Sequence, residues 1–239
     1  MGFSDEVRAA FRRGDNDAVV RMSEAEIERA RAAGDPAGEV EAIYSLARVA
    51  VRGGDLAEGS RRAQLALDVA VRTGDRALEE RPRHVLAAVA RMSGDLERAG
   101  GLYRASIALN EELGHPETVN SELHNLGFVE LGRGHLDEAR RLFTISRERV
   151  FEEGWDGFLP YVCVAGAALA AAEKDHRRAA LLVGVADAAF AAIGQIPDPD
   201  DAAELATIRA AAIEALGPSP FDTAYNEGQK LDPRTAFSA

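Results

Sequence analysis

The sequence predicts an all-α fold, a solenoid of stacked helical hairpins, and three observations carry that prediction. Turn-type pairs fall at a fixed interval of 20 residues: Gly14-Asp15, Gly34-Asp35, Gly54-Asp55, Gly74-Asp75, Gly94-Asp95, Gly114-His115, Gly134-His135, Gly154-Trp155, Lys174-Asp175 and Gly194-Gln195. A period of this kind marks one small supersecondary unit stacked many times. The segments between the pairs place apolar residues at helical spacing, as in Ile43, Leu46, Ala47 and Ala50 at i, i+3, i+4 and i+7. Finally, 46% hydrophobic and 28% charged residues over 239 positions suit a chain that buries a substantial core.

Each element follows from the turn that opens it. A glycine able to adopt positive φ ends one helix, and the Asp after it accepts a backbone N–H to start the next. Asp55 with Glu58 has the spacing of a capping box, and in Asp35-Pro36 and His115-Pro116 a proline sits where its missing N–H costs nothing. The segment Phe3 to Arg13 opens a degenerate first repeat. With no earlier repeat to cover Val7, Ala10 and Phe11, it is expected to dock on a second copy and give a homodimer. Leu56, Leu96 and Leu136 follow alternate turns, with small residues (Gly59, Ala99, Ala139, Ala179) placed for close approach of two antiparallel helices. The true repeat is therefore 40 residues, and the turns at 34, 74, 114 and 154 join one hairpin to the next. Pro82 and Pro160 delay or bend two of the following helices. Lys174 replaces the expected glycine in the fifth repeat, and Asp198-Pro199-Asp200-Asp201 caps a last helix that runs to about Leu216. Residues 1–217 are expected to form one solenoid domain whose last helix caps it. Residues 218–239 form a short helix and a polar tail, mobile beyond Gly228.

The clearest unit runs from Leu123 to Phe143 and resembles the tetratricopeptide repeat. Leu126, Gly127, Gly134, Ala139, Phe143 and Ser146 occupy that pattern's positions. Less complete copies carry Leu46, Ala47, Gly54, Gly59, Ala63 and Ala66, then Leu86, Ala87, Gly94, Ala99, Tyr103 and Ser106, then Gly166, Ala167, Ala179, Val183 and Ala186. The resemblance implies a right-handed superhelix of about five repeats plus a C-terminal capping helix. The unit departs from the family pattern in its 40-residue length, in lacking a tryptophan in the first helix, and in Glu130, where an apolar residue is usual. The stretch Arg178 to Phe190, then Pro197, the last helix, and Phe221 to Leu231, resembles the C-terminal helical region of large bacterial LuxR-type and AfsR-type regulators. No phosphate loop and no basic recognition helix accompanies it, so it implies a sensory or scaffolding arm.

Other classes of chemistry are poorly served. No apolar run reaches the roughly 20 residues of a membrane span, and the N-terminus has no secretory pattern, so a cytoplasmic protein without a membrane partner is expected. A formal net charge of −12 argues against direct nucleic-acid binding. The one cysteine, Cys163, sits at a core position of its repeat, and no two of the five histidines have metal-ligand spacing. His115 and His135 stand where other turns have Asp and are read as turn or capping residues. Glu130 is read as partly exposed or paired with an arginine. No catalytic residue, metal or cofactor is expected, since nucleophile, base and orienting group cannot be assembled from these motifs.

The tetratricopeptide resemblance assigns the first helix of each hairpin to a concave surface. Carried over, its inner positions are Glu41, Tyr44, Arg48, Val51 and Arg52; Arg81, His84, Ala88, Arg91 and Met92; Ser121, His124, Phe128, Leu131 and Gly132; and Tyr161, Val164, Ala168, Ala171 and Ala172. Of these, Tyr44, Arg48, Arg52, Arg81, His84, Arg91, His124, Phe128 and Tyr161 are the candidate groove residues. Arginine forks would take carboxylates of an acidic peptide while the aromatic rings pack on its apolar side chains. The expected function is a non-enzymatic protein- or peptide-binding scaffold. The alternative is a ligand-sensing regulatory domain for a small molecule or signal peptide, with a compact pocket near His84, His124 and Tyr161.

Overall fold

The computed structural model describes residues 2–237. These fall into two compact units that divide between Glu122 and Leu123. The first contains α1 (Phe3–Arg12), α2 (Asn16–Ala33), α3 (Pro36–Arg52), α4 (Leu56–Thr73), α5 (Glu80–Met92), α6 (Leu96–Leu113) and the start of α7 (Pro116–Gly132). The second holds the rest of α7, then α8 (Leu136–Glu153), α9 (Leu159–Ala172), α10 (His176–Ala192), α11 (Pro199–Leu216), α12 (Pro218–Gly228) and α13 (Pro233–Ala236). There is no strand among the described residues. Within the units consecutive helices pack on one another, from α1 to α6 and from α8 to α12, as the predicted all-α helical-hairpin solenoid requires.

The turns work as the residue types require. Every glycine of the 20-residue series is left-handed, Gly14 at φ 79° and Gly54 at φ 82° among them, and Lys174 takes the same conformation at φ 64°. It is the one non-glycine residue to do so among those described, which costs a side chain with a Cβ about 1 kcal/mol or more. Asp15, Asp35, Asp55, Asp95 and Asp175 each accept the N–H three residues on, at 2.9–3.2 Å. His135 holds the N-cap position without capping: its Nδ1 lies 2.8 Å from Glu130 Oε2. Glu130 is buried and also accepts from Arg133, the arginine pairing the sequence suggests. His115 Nδ1 lies 2.8 Å from Glu80 Oε2. Single 3₁₀ turns, Arg76–Glu79 and Asp156–Phe158, precede α5 and α9, so Pro82 and Pro160 fall in the first turn of their helices, where a missing N–H is tolerated.

Two expectations change. Val7, Ala10 and Phe11 are buried within their own chain, packed with Val19 and against Phe3, Met22 and Val49. These three side chains are thus covered within the chain itself, because α1 folds back onto α2 and α3. Residues 229–237 are docked: Asp232 caps α13, Ala236 is buried, and Phe237 packs on the second unit's core. Asp198 stands at the N-cap of α11 but makes no side-chain cap; its Oδ2 accepts from Tyr161 Oη at 3.4 Å.

Glycine sets the closest packing. A Cβ on Gly59 would meet Val51 Cγ2 at 2.6 Å, a side-chain methyl group rather than backbone. On Gly184 or Gly228 it would collide with backbone carbonyls, of Tyr225 and Leu181 respectively, because α10 and α12 cross backbone to backbone. In the second unit Arg209 of α11 donates to Asp187 of α10, which also accepts from Tyr225 Oη of α12.

Candidate interaction surface

In the first unit four of the sequence-predicted residues, Tyr44, Arg48, Arg81 and His84, lie along neighbouring turns of α3 and α5. Tyr44 and Arg48 stand one turn apart on α3, and Arg81 and His84 one turn apart on α5, so each pair shares a helix face. Arg81 forms an ion pair with Glu41 through Nη1, and its guanidinium lies 5.7 Å from the Tyr44 ring centroid. Burial works against the Arg81 charge, but Glu41, with Tyr44 and Glu80 nearby, outweighs it and holds the pKa above the ordinary arginine value. The Arg48 guanidinium lies 5.6 Å from the same Tyr44 centroid and 3.6 Å over the Phe11 ring.

Arg52 belongs to a different task from the one its position suggested. Its guanidinium covers the Phe11 ring at 3.4 Å, and Nη1 donates to Phe11 O at 2.6 Å and Asn16 Oδ1 at 3.3 Å. It therefore fastens α1 to α3, with Arg48 on the same ring. Arg91 is also no groove residue: it is only 8% exposed on α5.

His84 is braced from behind. Its Nδ1 lies 3.0 Å from Oε1 of Glu122, a carboxylate with no exposed surface that also accepts from Ser106 Oγ at 2.9 Å. The Tyr103 ring meets the imidazole edge-on at 6.4 Å.

In the second unit the three predicted residues join a row of rings. His124 stands edge-on to Phe128 at 5.2 Å and Phe158 at 5.1 Å; Phe158 in turn lies 5.2 Å from Tyr161, and Tyr161 5.1 Å from Phe190. His124 and Phe128 are buried, so they support a surface rather than form one; Tyr161 is half-buried. The reason is Phe143 and Phe158, which cover them. Cys163 is buried in the same core, and burial, with Asp232 nearby, pushes its thiol up to about 12. It is therefore a protonated packing group at neutral pH.

Sequence reasoning missed Glu122, Phe11 and Phe158. Glu122 was detectable as a charged residue in apolar register with Val119 and Leu126 on α7. Phe158 lies in a 3₁₀ turn, outside any helical period. Among the described residues, no group of three or more His, Cys, Asp or Glu is placed to hold a metal ion, and no helix is long and apolar enough to cross a membrane.

No protein-family model and no curated protein matches this chain. Among solved structures it is similar to BtubC (BKLC) from P. vanneervenii, with a TM-score of 0.61 at 18% identity over 94% of this chain and 92% of that one. At that identity the likeness shows the all-helical fold alone.

Proposed function

We propose that this chain is a non-enzymatic scaffold that binds an acidic protein or peptide segment, as tetratricopeptide-like proteins do. The resemblance of its C-terminal region to bacterial regulators supports a regulatory setting. The observation that carries the reading is the strip of Tyr44, Arg81 and His84 on α3 and α5, braced by Glu41 and the buried Glu122. Arg81 engages Glu41 through one nitrogen, and a guanidinium has further N–H donors for a ligand carboxylate. Side chains already held by neighbours lose little freedom on binding, which favours recognition on rigid helices. The test is an acidic peptide library screened against the full chain. Tyr44→Ala with Arg81→Glu and His84→Ala is expected to weaken the best binders at least about 10-fold, the scale of one lost charged contact. Binders that tolerate all three changes would remove this face from consideration.

A second reading rests on Glu122. A buried carboxylate beneath a partly exposed imidazole also suits a small polar ligand whose binding stabilises the first unit. A rise in melting temperature with a compact metabolite, absent in His84→Ala, would favour it over the peptide scaffold.

A further inference from the structure

The second unit holds its own C-terminal segment the way a receptor holds a peptide. Asp232 accepts from the N–H groups of Arg234 and Thr235, closing the single turn of α13. Arg234 donates from Nη1 to Phe151 O at 3.0 Å and from Nη2 to Asp156 Oδ1 at 2.9 Å, with its guanidinium 4.9 Å over the Phe151 ring. Three residues on, Phe237 lies against Gly166, where a Cβ would stand 2.7 Å from the ring's Cε1. The Arg147 guanidinium lies 5.1 Å over the same ring. A cleft of about 80 Å³ continues beside Phe237, with Arg147, Arg178 and Glu173 among its lining residues, so residues 232–237 leave part of the groove open.

We infer that this groove is a peptide-binding site for an Arg-x-x-Phe segment of a partner protein, and that residues 232–237 are its resident, displaceable occupant. Three features support displacement. A four-residue helix has no stability of its own and persists only through its docking. Its hold rests on few anchors, chiefly Arg234, Ala236 and Phe237. The helices that form the groove, α8, α9 and α10, pack on one another in sequence without it. The cations lining the cleft beside Phe237 suit an acidic residue following the phenylalanine of a partner segment. The site lies wholly in the second unit, so its failure would leave the strip on α3 and α5 untouched.

The test uses the full chain with Arg234→Ala and Phe237→Ala, and a fluorescein-labelled peptide with the sequence of residues 230–237 followed by Glu. A tethered tail competes at an effective concentration near the millimolar range, so emptying the site is expected to tighten peptide binding by about 10-fold or more over the unaltered chain. Binding is expected to vanish when the peptide carries alanine in place of its phenylalanine, and when the emptied chain also carries Gly166→Ala. Circular dichroism keeps the result interpretable: an emptied chain that stays helical yet ignores the peptide overturns the proposal. So does an emptied chain that unfolds, which would make the tail a structural strap. Light scattering supplies the third arm. An unaltered chain that is dimeric, and becomes monomeric with Phe237→Ala, would seat the tail on a second copy and overturn the assignment to a partner protein.

Discussion

The unit Met1–Glu122 and the unit Leu123–Ala239 build hairpins on the same 40-residue register, yet they finish them with different chemistry. In the first, polar side chains do much of the joining: Arg48 and Arg52 cover Phe11, Arg81 pairs with Glu41, and His84 rests on the buried Glu122. In the second, rings and missing side chains do it. His124, Phe128, Phe158, Tyr161 and Phe190 interlock, and Gly184 and Gly228 let α10 and α12 touch through their backbones. A repeat specifies where helices start and which faces meet. It leaves open whether the meeting is ionic or apolar.

Four changes would sharpen or break that contrast. Phe11→Ala removes a buried ring and the platform of two guanidinium groups, and is expected to cost the first unit about 4 kcal/mol in urea denaturation. A cost under about 1 kcal/mol would mean that α1 is an ornament rather than a fastened element. Gly228→Ala drives a methyl group into a backbone carbonyl and is expected to cost the second unit about 3 kcal/mol. Gly59→Ala, whose closest contact is a valine methyl group rather than backbone, is expected to cost about 1 kcal/mol; equal losses would refute the claim that the α10–α12 crossing is the tighter one.

Lys174→Gly should act in the other direction, raising stability by about 0.5–1 kcal/mol, since relief of a left-handed side chain exceeds the entropy glycine adds to the unfolded chain. A fall in melting temperature would show that the lysine side chain makes an unrecognised contribution. The smallest effect is on acid stability. Glu26 is held below the usual carboxylate range by its hydrogen bonds from Arg29, Asp35 by the Gly38 N–H and then Arg29, and Glu58, at about 2, by Arg61 and Arg62. Groups lowered on folding stabilise fully above their unfolded values, and this contribution is lost as pH falls from about 4.5 toward 2. Hydrogen exchange resolved by segment should therefore show α2–α4 loosening between pH 5 and pH 3 by more than α9–α10. Uniform loosening would contradict the ionic account of the first unit.

Much of the frame is legible in the residues. The left-handed turns, the five Asp caps, the late starts at Pro82 and Pro160 and the core position of Cys163 all depend on chemistry within a few positions of the chain. The candidate surface is legible only in part. Tyr44, Arg81 and His84 come together as their repeat positions imply, whereas Arg52 and Arg91 are turned to internal packing and His124 and Phe128 are covered by other rings. The partner of Arg52 is Phe11, 41 residues away and reached by the folding back of α1; no local pattern encodes that contact.

By itself, then, the sequence determined the helices, their ends and their order, because capping, proline geometry and apolar periodicity act over one turn. Only the tertiary structure decided which of the inward-facing side chains keep a surface. That depends on what packs over them: α1 on Arg48 and Arg52, Phe158 on His124, and the C-terminal turn in the groove beside Gly166. Each of these covers comes from outside the regular repeat, so the period that specifies the scaffold has no means of specifying them.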